Sequence, residues 1–308
     1  MTKVYIDGAV GTTGLRIRER LLSRSDVELL TIPEEYRKDI DYRREYINRS
    51  DVTFLCLPDV ASIEAVALAE DKVKIIDAST AHRVNPGWAY GFPELGDDFY
   101  NKIKNGNRIA NPGCHASGFI ALVYPLIKSG VLSKDAYLTC TSLTGYSGGG
   151  KKMIADYEDD KRDYQLGAPR IYGLNQSHKH LPEMSYVTGL NKLPSFMPIV
   201  GDFYSGMEVI VPIELKMLKG IDSLKQLQEL YKDFYSGKKL IKAVDFTESF
   251  ISANALRGKD VMEIGVSGND ERATLISLFD NLGKGASGAA IQNFNIISGV
   301  DETEGLEL

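Results

Sequence analysis

The first predicted strand and the turn after it, residues 4–14, read Val4-Tyr-Ile-Asp-Gly8-Ala-Val-Gly11-Thr-Thr-Gly14. The apolar residues 4–6 predict a short strand, and the apolar pattern of residues 15–22 predicts a helix directly after the glycines. Glycines let the main chain approach a phosphate closely, and a helix N-terminus presents unpaired N–H groups. The spacing is G-x-x-G-x-x-G, so this is a candidate phosphate site or, alternatively, a plain glycine turn.

Further strands and helices alternate along the first part of the chain. Short apolar strands are predicted at residues 28–32, 51–58 and 73–77, and a helix is predicted at residues 61–69. Short buried strands that alternate with helices predict a parallel sheet with helices on both faces. We therefore expect the first domain to have a Rossmann-like, doubly wound α/β fold.

The end of the second strand bears on which dinucleotide the glycine turn would hold. Leu30-Thr-Ile32 lacks the acidic residue that holds an unphosphorylated ribose, and Arg37-Lys38 follows shortly after it. Two cations at this place favour a ribose 2′-phosphate, and hence NADP. Two solvated surface cations are the alternative.

The pattern of predicted strands changes after Cys114. Longer alternating strands are predicted at residues 136–142, 207–216, 261–267 and 272–279, with a helix at residues 224–235 and a last helix at about residues 288–297. Long strands with one polar face predict a mostly antiparallel sheet. The second domain, roughly residues 114–284, is therefore expected to be α+β.

The composition is that of an ordinary globular protein and excludes several classes. The 308 residues are 43% hydrophobic, and 36 Lys and Arg against 42 Asp and Glu give a net charge of −6. With a pI near 5.4 and no basic tract, nucleic acid is not expected as a partner.

Three unclustered cysteines form neither a disulfide framework nor a zinc motif, so a reducing, cytoplasmic compartment is expected. No membrane span is expected, because the most apolar stretch, residues 119–127, is far shorter than the roughly 20 residues a span needs.

The sharpest local motif is Asn111-Pro-Gly-Cys114-His-Ala-Ser-Gly118. Its Pro-Gly pair predicts a turn, and an apolar helix is predicted to begin directly after it. Free N–H groups at a helix start stabilise a thiolate, so Cys114 is a candidate nucleophile. A small buried core thiol is the alternative. That interpretation is favoured for Cys56 and Cys140, which are both predicted in mid-strand.

A nucleophilic thiol needs a partner that takes and returns a proton. The run His178-Lys-His180-Leu-Pro-Glu183 holds two of the four histidines. His180 can supply an imidazole, and Glu183 can supply the carboxylate that orients it. A polar surface loop is the alternative. Two histidines at this spacing can also bind a metal, but no third ligand lies nearby, so no metal is expected.

Two further stretches contain residues that are suited to binding anions. Thr144-Gly-Tyr-Ser147-Gly-Gly-Gly-Lys151 follows a predicted strand, where small residues and a lysine suit a substrate or cofactor phosphate; a glycine hinge is the alternative. Ala78-Ser79-Thr-Ala-His82-Arg83 follows a parallel strand at the edge where ligands bind. Arg83 can clamp a carboxylate or phosphate, or form a surface ion pair instead, and His82 is expected to be structural.

Together these motifs resemble one family, the shorter (type 2) form of N-acetyl-γ-glutamyl-phosphate reductase. Any one match can arise by chance, but the ordered set is specific. The matching stretches follow the family's order at residues 6–15, 55–59, 76–84, 90–95, 111–114, 145–155, 178–184 and 285–293.

The resemblance implies a reaction and the residues that carry it. The family reduces an acyl phosphate to an aldehyde with NADPH, in arginine biosynthesis. By this resemblance Cys114 is the nucleophile that forms a thioester, and His180 is the acid–base residue, in an ion pair with Cys114. His178 and Glu183 would support His180 or touch the substrate.

The resemblance also implies substrate and cofactor contacts and a division of the chain. The anionic groups of the substrate would be bound by Arg83, Ser147 and Lys151. Asn293, on the last helix, would reach the nicotinamide amide, so that helix is expected to pack onto the first domain. The expected domains are an NADP-binding domain (residues 1–113 and 285–308) and a catalytic, substrate-binding and oligomerisation domain (residues 114–284), in a homodimer or homotetramer. The implied cofactor residues are Gly8, Gly11, Thr12, Thr13, Gly14, Arg37, Lys38, Ser79 and Asn293.

The chain departs from the family pattern at His115, where the family usually has tyrosine. A second imidazole beside the thiolate can perturb its ionisation or act as a rival base. Thr144, in place of serine, and Ala9, in place of glutamate, leave Cys114, His180 and Asn293 intact. The alternative functions are a related reductase acting on aspartyl phosphate or carrier-bound aminoadipyl phosphate, and a non-catalytic NADP-binding sensor.

Overall fold

The computed structural model describes residues 1–308, with thirteen strands and nine α-helices. The strands are β1 (Thr2–Asp7), β2 (Val27–Leu30), β3 (Val52–Leu55), β4 (Lys74–Asp77), β5 (Ala89–Tyr90), β6 (Arg108–Ala110), β7 (Thr139–Gly145), β8 (Arg170–Ile171), β9 (Ser195–Gly201), β10 (Met207–Glu214), β11 (Ile241–Ala243), β12 (Met262–Gly268) and β13 (Arg272–Phe279). The helices are α1 (Thr12–Leu22), α2 (Ile40–Arg49), α3 (Asp59–Leu68), α4 (Asp97–Asn105), α5 (Cys114–Lys128), α6 (Gly150–Glu158), α7 (Leu181–Thr188), α8 (Leu224–Phe234) and α9 (Gly288–Ser298).

The chain forms two compact units. Unit 1 comprises Met1–Pro112 and Ala286–Leu306, and unit 2 comprises Gly113–Gly285 and Glu307–Leu308. The expected division placed Gly113, Gly285, Glu307 and Leu308 with the first domain, and these four residues group with unit 2. The functions expected of the two domains stay predictions.

Unit 1 is built on a six-stranded sheet in the order β2-β1-β3-β4-β6-β5. Every strand pair in this sheet is parallel. The strand order reverses between β1 and β3, and ligands of doubly wound sheets bind at the carboxyl ends of the strands at such a point. The predicted Rossmann-like fold is confirmed, and the glycine turn lies at this reversal.

The strands of unit 1 are buried because both faces of the sheet are covered. Val4 and Ile6 join a core cluster on one face that includes Phe294 of α9, while Tyr5 joins a separate cluster on the other face. Phe294 packs on Phe54 of β3 with ring centroids 5.8 Å apart. The last helix of the chain therefore supplies part of the core of unit 1.

Unit 2 is built on a seven-stranded sheet in the order β11-β12-β13-β10-β7-β9-β8. The pairs β11/β12 and β7/β9 are parallel and the other four pairs are antiparallel. This confirms the predicted mostly antiparallel sheet.

Strands β8, β9 and β11 were not predicted, and the strand expected at residues 136–142 begins only at Thr139. Cys56 lies just after β3 rather than in mid-strand, which corrects its predicted place.

Helix α5 lies close against the sheet of unit 2. A Cβ atom on Gly118 would lie 2.4 Å from Cγ2 of Val209 and 2.8 Å from Oγ of Ser277, so only glycine permits this approach. Pro125 lies inside the helix and has no N–H for the carbonyl of Ala121. The hydroxyl of Tyr235 donates to that carbonyl instead, at 2.7 Å. These contacts fix the helix that begins at Cys114.

None of the helices in the structure is long and apolar enough to cross a membrane.

Candidate active site

Cys114 is the first residue of α5. The N-cap residue, Gly113, has extended backbone angles and makes no side-chain capping bond. The N-terminal end of a helix carries a partial positive charge, which stabilises a negative charge at its start. The Cys114 side chain is partly exposed. The predicted helix start at the cysteine is therefore observed.

Glu183 connects α7 to the start of α5. Its Oε1 accepts a hydrogen bond from the main-chain N–H of Gly113 at 2.8 Å, and the side chain is 1% exposed. The sequence pattern suggested that Glu183 orients the imidazole of His180. The hydrogen bond to Gly113 holds the peptide that precedes the candidate nucleophile, because the first turn of α7 packs against α5. The support of His180 by Glu183 stays a prediction.

Three histidines come together in unit 2. The ring centroids of His178 and His180 are 4.8 Å apart, and His115 lies 5.5 and 5.6 Å from them. Nδ1 of His178 accepts the main-chain N–H of His180 at 3.2 Å. Burial and then the charge of Lys179 lower the pKa of His178. His180 is buried and directly precedes α7, so its backbone is held by that helix.

His115 is held by hydrogen bonds on both sides of its ring. Nδ1 lies 2.7 Å from Oγ of Ser142, and Nε2 lies 2.7 Å from Oη of Tyr172. Burial, and then the neighbouring His178, lower the pKa of His115 to about 3. A neutral imidazole with both nitrogens engaged is a poor acceptor for a substrate proton. The geometry therefore argues against the rival-base role that the sequence left open for His115.

Three residues of this cluster were missed by the sequence analysis: Ser142, Tyr172 and Phe196. Phe196 packs on His115 and His178 with centroids 5.3 and 5.2 Å apart. The pKa of Tyr172 is raised by burial and then by the charge of Cys114. No sequence pattern marks these residues, because each belongs to a strand or loop that is distant in the chain.

Ser147 and Lys151 follow β7. Oγ of Ser147 accepts a hydrogen bond from Nδ2 of Asn281 at 3.1 Å, and Ser147 is buried. Oδ1 of Asn281 in turn accepts the N–H of Gly206 at 2.8 Å. Lys151 is exposed on α6. Ser147 thus has a structural partner, and the anion-binding roles of both residues stay predictions.

The glycine turn of unit 1 has the close packing that a phosphate cradle needs. Gly8 has a φ of +88°, and a Cβ atom there would lie 2.3 Å from the carbonyl oxygen of Cys56. A Cβ atom on Gly14 would lie 2.5 Å from the carbonyl oxygen of Gly8. Helix α1 starts after Gly11 and makes no side-chain capping bond, so Thr12 and Thr13 present their N–H groups at an open helix start.

A pocket of about 460 Å³ lies beside this turn and is lined by residues of β1, α1 and the segment after β2. Arg37 and Lys38 line it, as the NADP prediction requires, and Arg18 of α1 lines it as well. The sequence analysis did not single out Arg18. Arg37 also forms an ion pair with Glu34 at 2.6 Å. Because both side chains are largely exposed, that pair is worth at most about 1 kcal/mol, so a phosphate can compete for Arg37.

Asn293 is fully buried in unit 1. Its Nδ2 donates to the carbonyl oxygen of Gly91 at 3.0 Å and to Oδ1 of Asn111 at 3.2 Å. Its own Oδ1 is buried and accepts no hydrogen bond. An unsatisfied buried carbonyl oxygen is unfavourable unless a ligand supplies the donor. This fits the predicted contact with an amide N–H of nicotinamide.

Ser79 and Arg83 lie in the loop after β4 and have partners within unit 1. Oγ of Ser79 donates to Asp77 at 2.7 Å. The guanidinium of Arg83 donates to the carbonyl oxygens of Asn111 and Ala78, both at 2.9 Å, and Arg83 is 7% exposed. A surface ion pair was the alternative considered for Arg83, and its burial excludes that. The structure shows it bracing the segment before Cys114, and its substrate role stays a prediction.

His82 is structural, as expected. Its Nδ1 lies 2.6 Å from Asp77, and its ring stacks on Trp88 with centroids 4.0 Å apart.

Comparison with known proteins identifies the family to which this chain belongs. Residues 3–103 match the NAD binding domain of semialdehyde dehydrogenases, and residues 114–281 match the dimerisation domain of the same group. An N-acetyl-γ-glutamyl-phosphate reductase of Sinorhizobium medicae is 45% identical over 304 residues, which cover 96% of this chain and 98% of that protein. The chain belongs to the N-acetyl-γ-glutamyl-phosphate reductase family.

Other members of the N-acetyl-γ-glutamyl-phosphate reductase family align over almost the whole chain. N-acetyl-γ-glutamyl-phosphate reductase 2 of Nostoc sp. is 44% identical over 319 residues and covers 99% of both proteins. Among solved structures, aspartate semialdehyde dehydrogenase II of Vibrio cholerae has a TM-score of 0.72 at 17% identity and covers 97% of this chain and 98% of that one. At that identity, the likeness establishes a shared fold for this N-acetyl-γ-glutamyl-phosphate reductase family member.

Proposed function

We propose that this chain reduces N-acetyl-γ-glutamyl phosphate to N-acetylglutamate semialdehyde and phosphate with NADPH, as a step of arginine biosynthesis. The observation that carries the proposal is Cys114 as the first residue of α5, in the same unit as the His178–His180 pair. The names of the curated relatives support the substrate.

The residues of unit 2 suit a thioester mechanism. The Cys114 thiolate attacks the acyl carbon, a C–S bond forms, and the C–O bond to phosphate breaks. After reduction of the thioester, the C–S bond breaks, which releases the aldehyde and restores the thiolate. His180 takes the thiol proton and protonates or deprotonates the substrate oxygen in these steps. The N–H groups at the start of α5 stabilise negative charge on that oxygen.

Unit 1 supplies residues that fit NADPH. The glycine turn from Gly8 to Gly14 is the cradle for the pyrophosphate, and Asn293 Oδ1 is a buried acceptor for the nicotinamide amide. Arg18, Arg37 and Lys38 are the cations beside the pocket that suit a 2′-phosphate. When bound, the cofactor supplies the hydride that an acyl-to-aldehyde reduction requires.

The NADP preference is tested by removing the two predicted cations together. We expect Arg37→Ala/Lys38→Ala to raise KM for NADPH about tenfold, because each lost contact to a phosphate is charge-assisted, while KM for NADH is unchanged. Steady-state kinetics with both cofactors measure the two constants. Arg44→Ala is the matched control, since Arg44 pairs with Asp41 at 2.8 Å on the surface of α2 and does not line the pocket. An equal rise in both KM values would contradict a role in recognising the 2′-phosphate.

The substrate is tested in the direction of NADPH formation. The semialdehyde, phosphate and NADP+ are supplied, and absorbance at the NADPH band is followed with N-acetylglutamate semialdehyde and aspartate semialdehyde side by side. We expect turnover of the acetylated compound alone. Preferential turnover of the aspartate compound would assign the chain to the related reductase, and turnover of neither would favour a sensor.

The assembly and compartment follow from the same proposal. A homodimer or homotetramer is supported by the match of residues 114–281 to a dimerisation domain. A cytoplasmic location is supported by the three cysteines, none of which is in a disulfide bond. Light scattering of the purified chain distinguishes a monomer, dimer and tetramer.

A further inference from the structure

We propose that Ser142 sets the tautomer of His115 and thereby directs the hydroxyl proton of Tyr172 towards the thiolate of Cys114. In this arrangement His115 is a positioning residue, and Tyr172 is a hydrogen-bond donor to the reacting sulfur. The proposal deepens the proposed function, because it rests on Cys114 acting as the nucleophile.

The three residues form a continuous chain of hydrogen bonds. Ser142 on β7 lies 2.7 Å from Nδ1 of His115 on α5, and Nε2 of His115 lies 2.7 Å from Oη of Tyr172, which follows β8. Three separate elements of unit 2 thus meet at one imidazole. Phe196 packs against the same ring, so the bonds lie against an apolar wall.

The burial of Ser142 decides which nitrogen of His115 carries the proton. Ser142 is 0% exposed, and the hydrogen bond that the structure gives its hydroxyl is the one to Nδ1. A buried hydroxyl that donates to no acceptor is strongly unfavourable, so the serine proton is directed at Nδ1. Nδ1 is then the unprotonated nitrogen, and a neutral imidazole carries its proton on Nε2.

The protonated Nε2 determines what Tyr172 can do. Nε2–H donates to a lone pair of the phenol oxygen, which leaves the hydroxyl proton of Tyr172 available to another acceptor. Cys114 directly precedes His115 at the start of α5, and the Tyr172 hydroxyl lies 2.7 Å from Nε2 of that His115 ring. Burial, and then the charge of Cys114, raise the pKa of Tyr172. A thiolate that accepts a hydrogen bond from a phenol is stabilised relative to the thiol. With the opposite tautomer, the phenol proton would be directed at His115 instead.

The arrangement needs an imidazole at residue 115. An imidazole has a donor and an acceptor on opposite edges of one ring, so it can bridge two hydroxyl groups. Burial keeps the His115 ring neutral, as its lowered pKa shows, so the bridge holds across the neutral pH range.

The first test reads the tautomer directly. Long-range ¹H–¹⁵N NMR of the ¹⁵N-histidine-labelled full chain identifies the protonated nitrogen, and loss of one signal set in His115→Gln assigns it. We expect His115 to be the Nε2–H tautomer in the unaltered protein and to show Nδ1–H in Ser142→Ala. An Nδ1–H tautomer in the unaltered protein would overturn the proposal. This reading needs no substrate, so it remains informative if the proposed reductase activity fails.

The second test measures the reactivity of Cys114 with iodoacetamide at neutral pH, in the full chain without substrate. We expect Tyr172→Phe to slow alkylation roughly tenfold, because a hydrogen bond to a charged group is lost. Ser142→Ala should slow it roughly threefold, since part of the population takes the other tautomer, and Ser142→Thr, which keeps the hydroxyl, should restore the rate.

Cys140→Ala is the matched control for the second test. It truncates a fully buried side chain on β7 close to Ser142 and should leave the alkylation rate unchanged. Unaltered rates in both Tyr172→Phe and Ser142→Ala would overturn the proposal, whatever substrate the enzyme reduces. Failure to reduce the acetylated substrate, with these rate effects present, would overturn the proposed function alone.

Discussion

Cys114→Ser should abolish reductase activity while NADPH binding survives. Serine keeps the size and position of the side chain at the start of α5 but offers an alcohol that is not ionised at neutral pH, so no thioester forms. We expect turnover to fall by at least about 10⁴-fold, the scale seen when an enzyme loses its nucleophile. The candidate cofactor residues lie in unit 1, so NADPH affinity, followed by its fluorescence, should not change.

The control for this prediction is a second cysteine that, unlike Cys114, is fully buried. Cys140→Ala removes a fully buried cysteine from β7 and should keep turnover close to that of the unaltered protein. Trapping of an acyl-enzyme by mass spectrometry should succeed with the unaltered protein and fail with Cys114→Ser. Normal turnover by Cys114→Ser would rule out the thioester mechanism.

His180→Asn should lower turnover far more than His115→Tyr. The loss of a general acid–base residue costs about 10²- to 10⁴-fold, and this is the effect expected for His180. Both nitrogens of His115 are already engaged, and burial lowers its pKa to about 3, so it is not available as the base. Its replacement should therefore cost less than about tenfold, through the loss of hydrogen bonds alone.

Rate measurements across pH distinguish the two histidines further. The pH dependence of kcat/KM should lose one of its limbs in His180→Asn and keep both limbs in His115→Tyr. Asparagine can still donate a hydrogen bond but cannot exchange a proton, so binding of substrate should be affected less than turnover. If His115→Tyr had the larger effect, the base would have to be reassigned to His115.

Local patterns were enough to predict unit 1 and the start of α5. The side chains of residues 4–6 point alternately into two different core clusters. Because both faces of the sheet are covered, every residue of this stretch is apolar. The turn Pro112-Gly113 and the apolar residues after it predicted the helix that begins at Cys114. Strand β9 was missed because Pro198 interrupts it, and proline removes a ladder donor. In the structure Pro198 pairs with Ser142 of β7, which no local pattern could indicate.

The amino-acid sequence by itself determined the fold class, the order of the motifs and the chemical types at the candidate site: a thiol, imidazoles and a glycine turn. These depend on residues close together in the chain. Only the tertiary structure decided the partners of those groups, because Ser142, Tyr172 and Glu183 make their bonds to residues 27, 57 and 70 positions away. Burial, too, arises only when distant elements pack. It makes His115 neutral and lets Glu183 hold the peptide before Cys114.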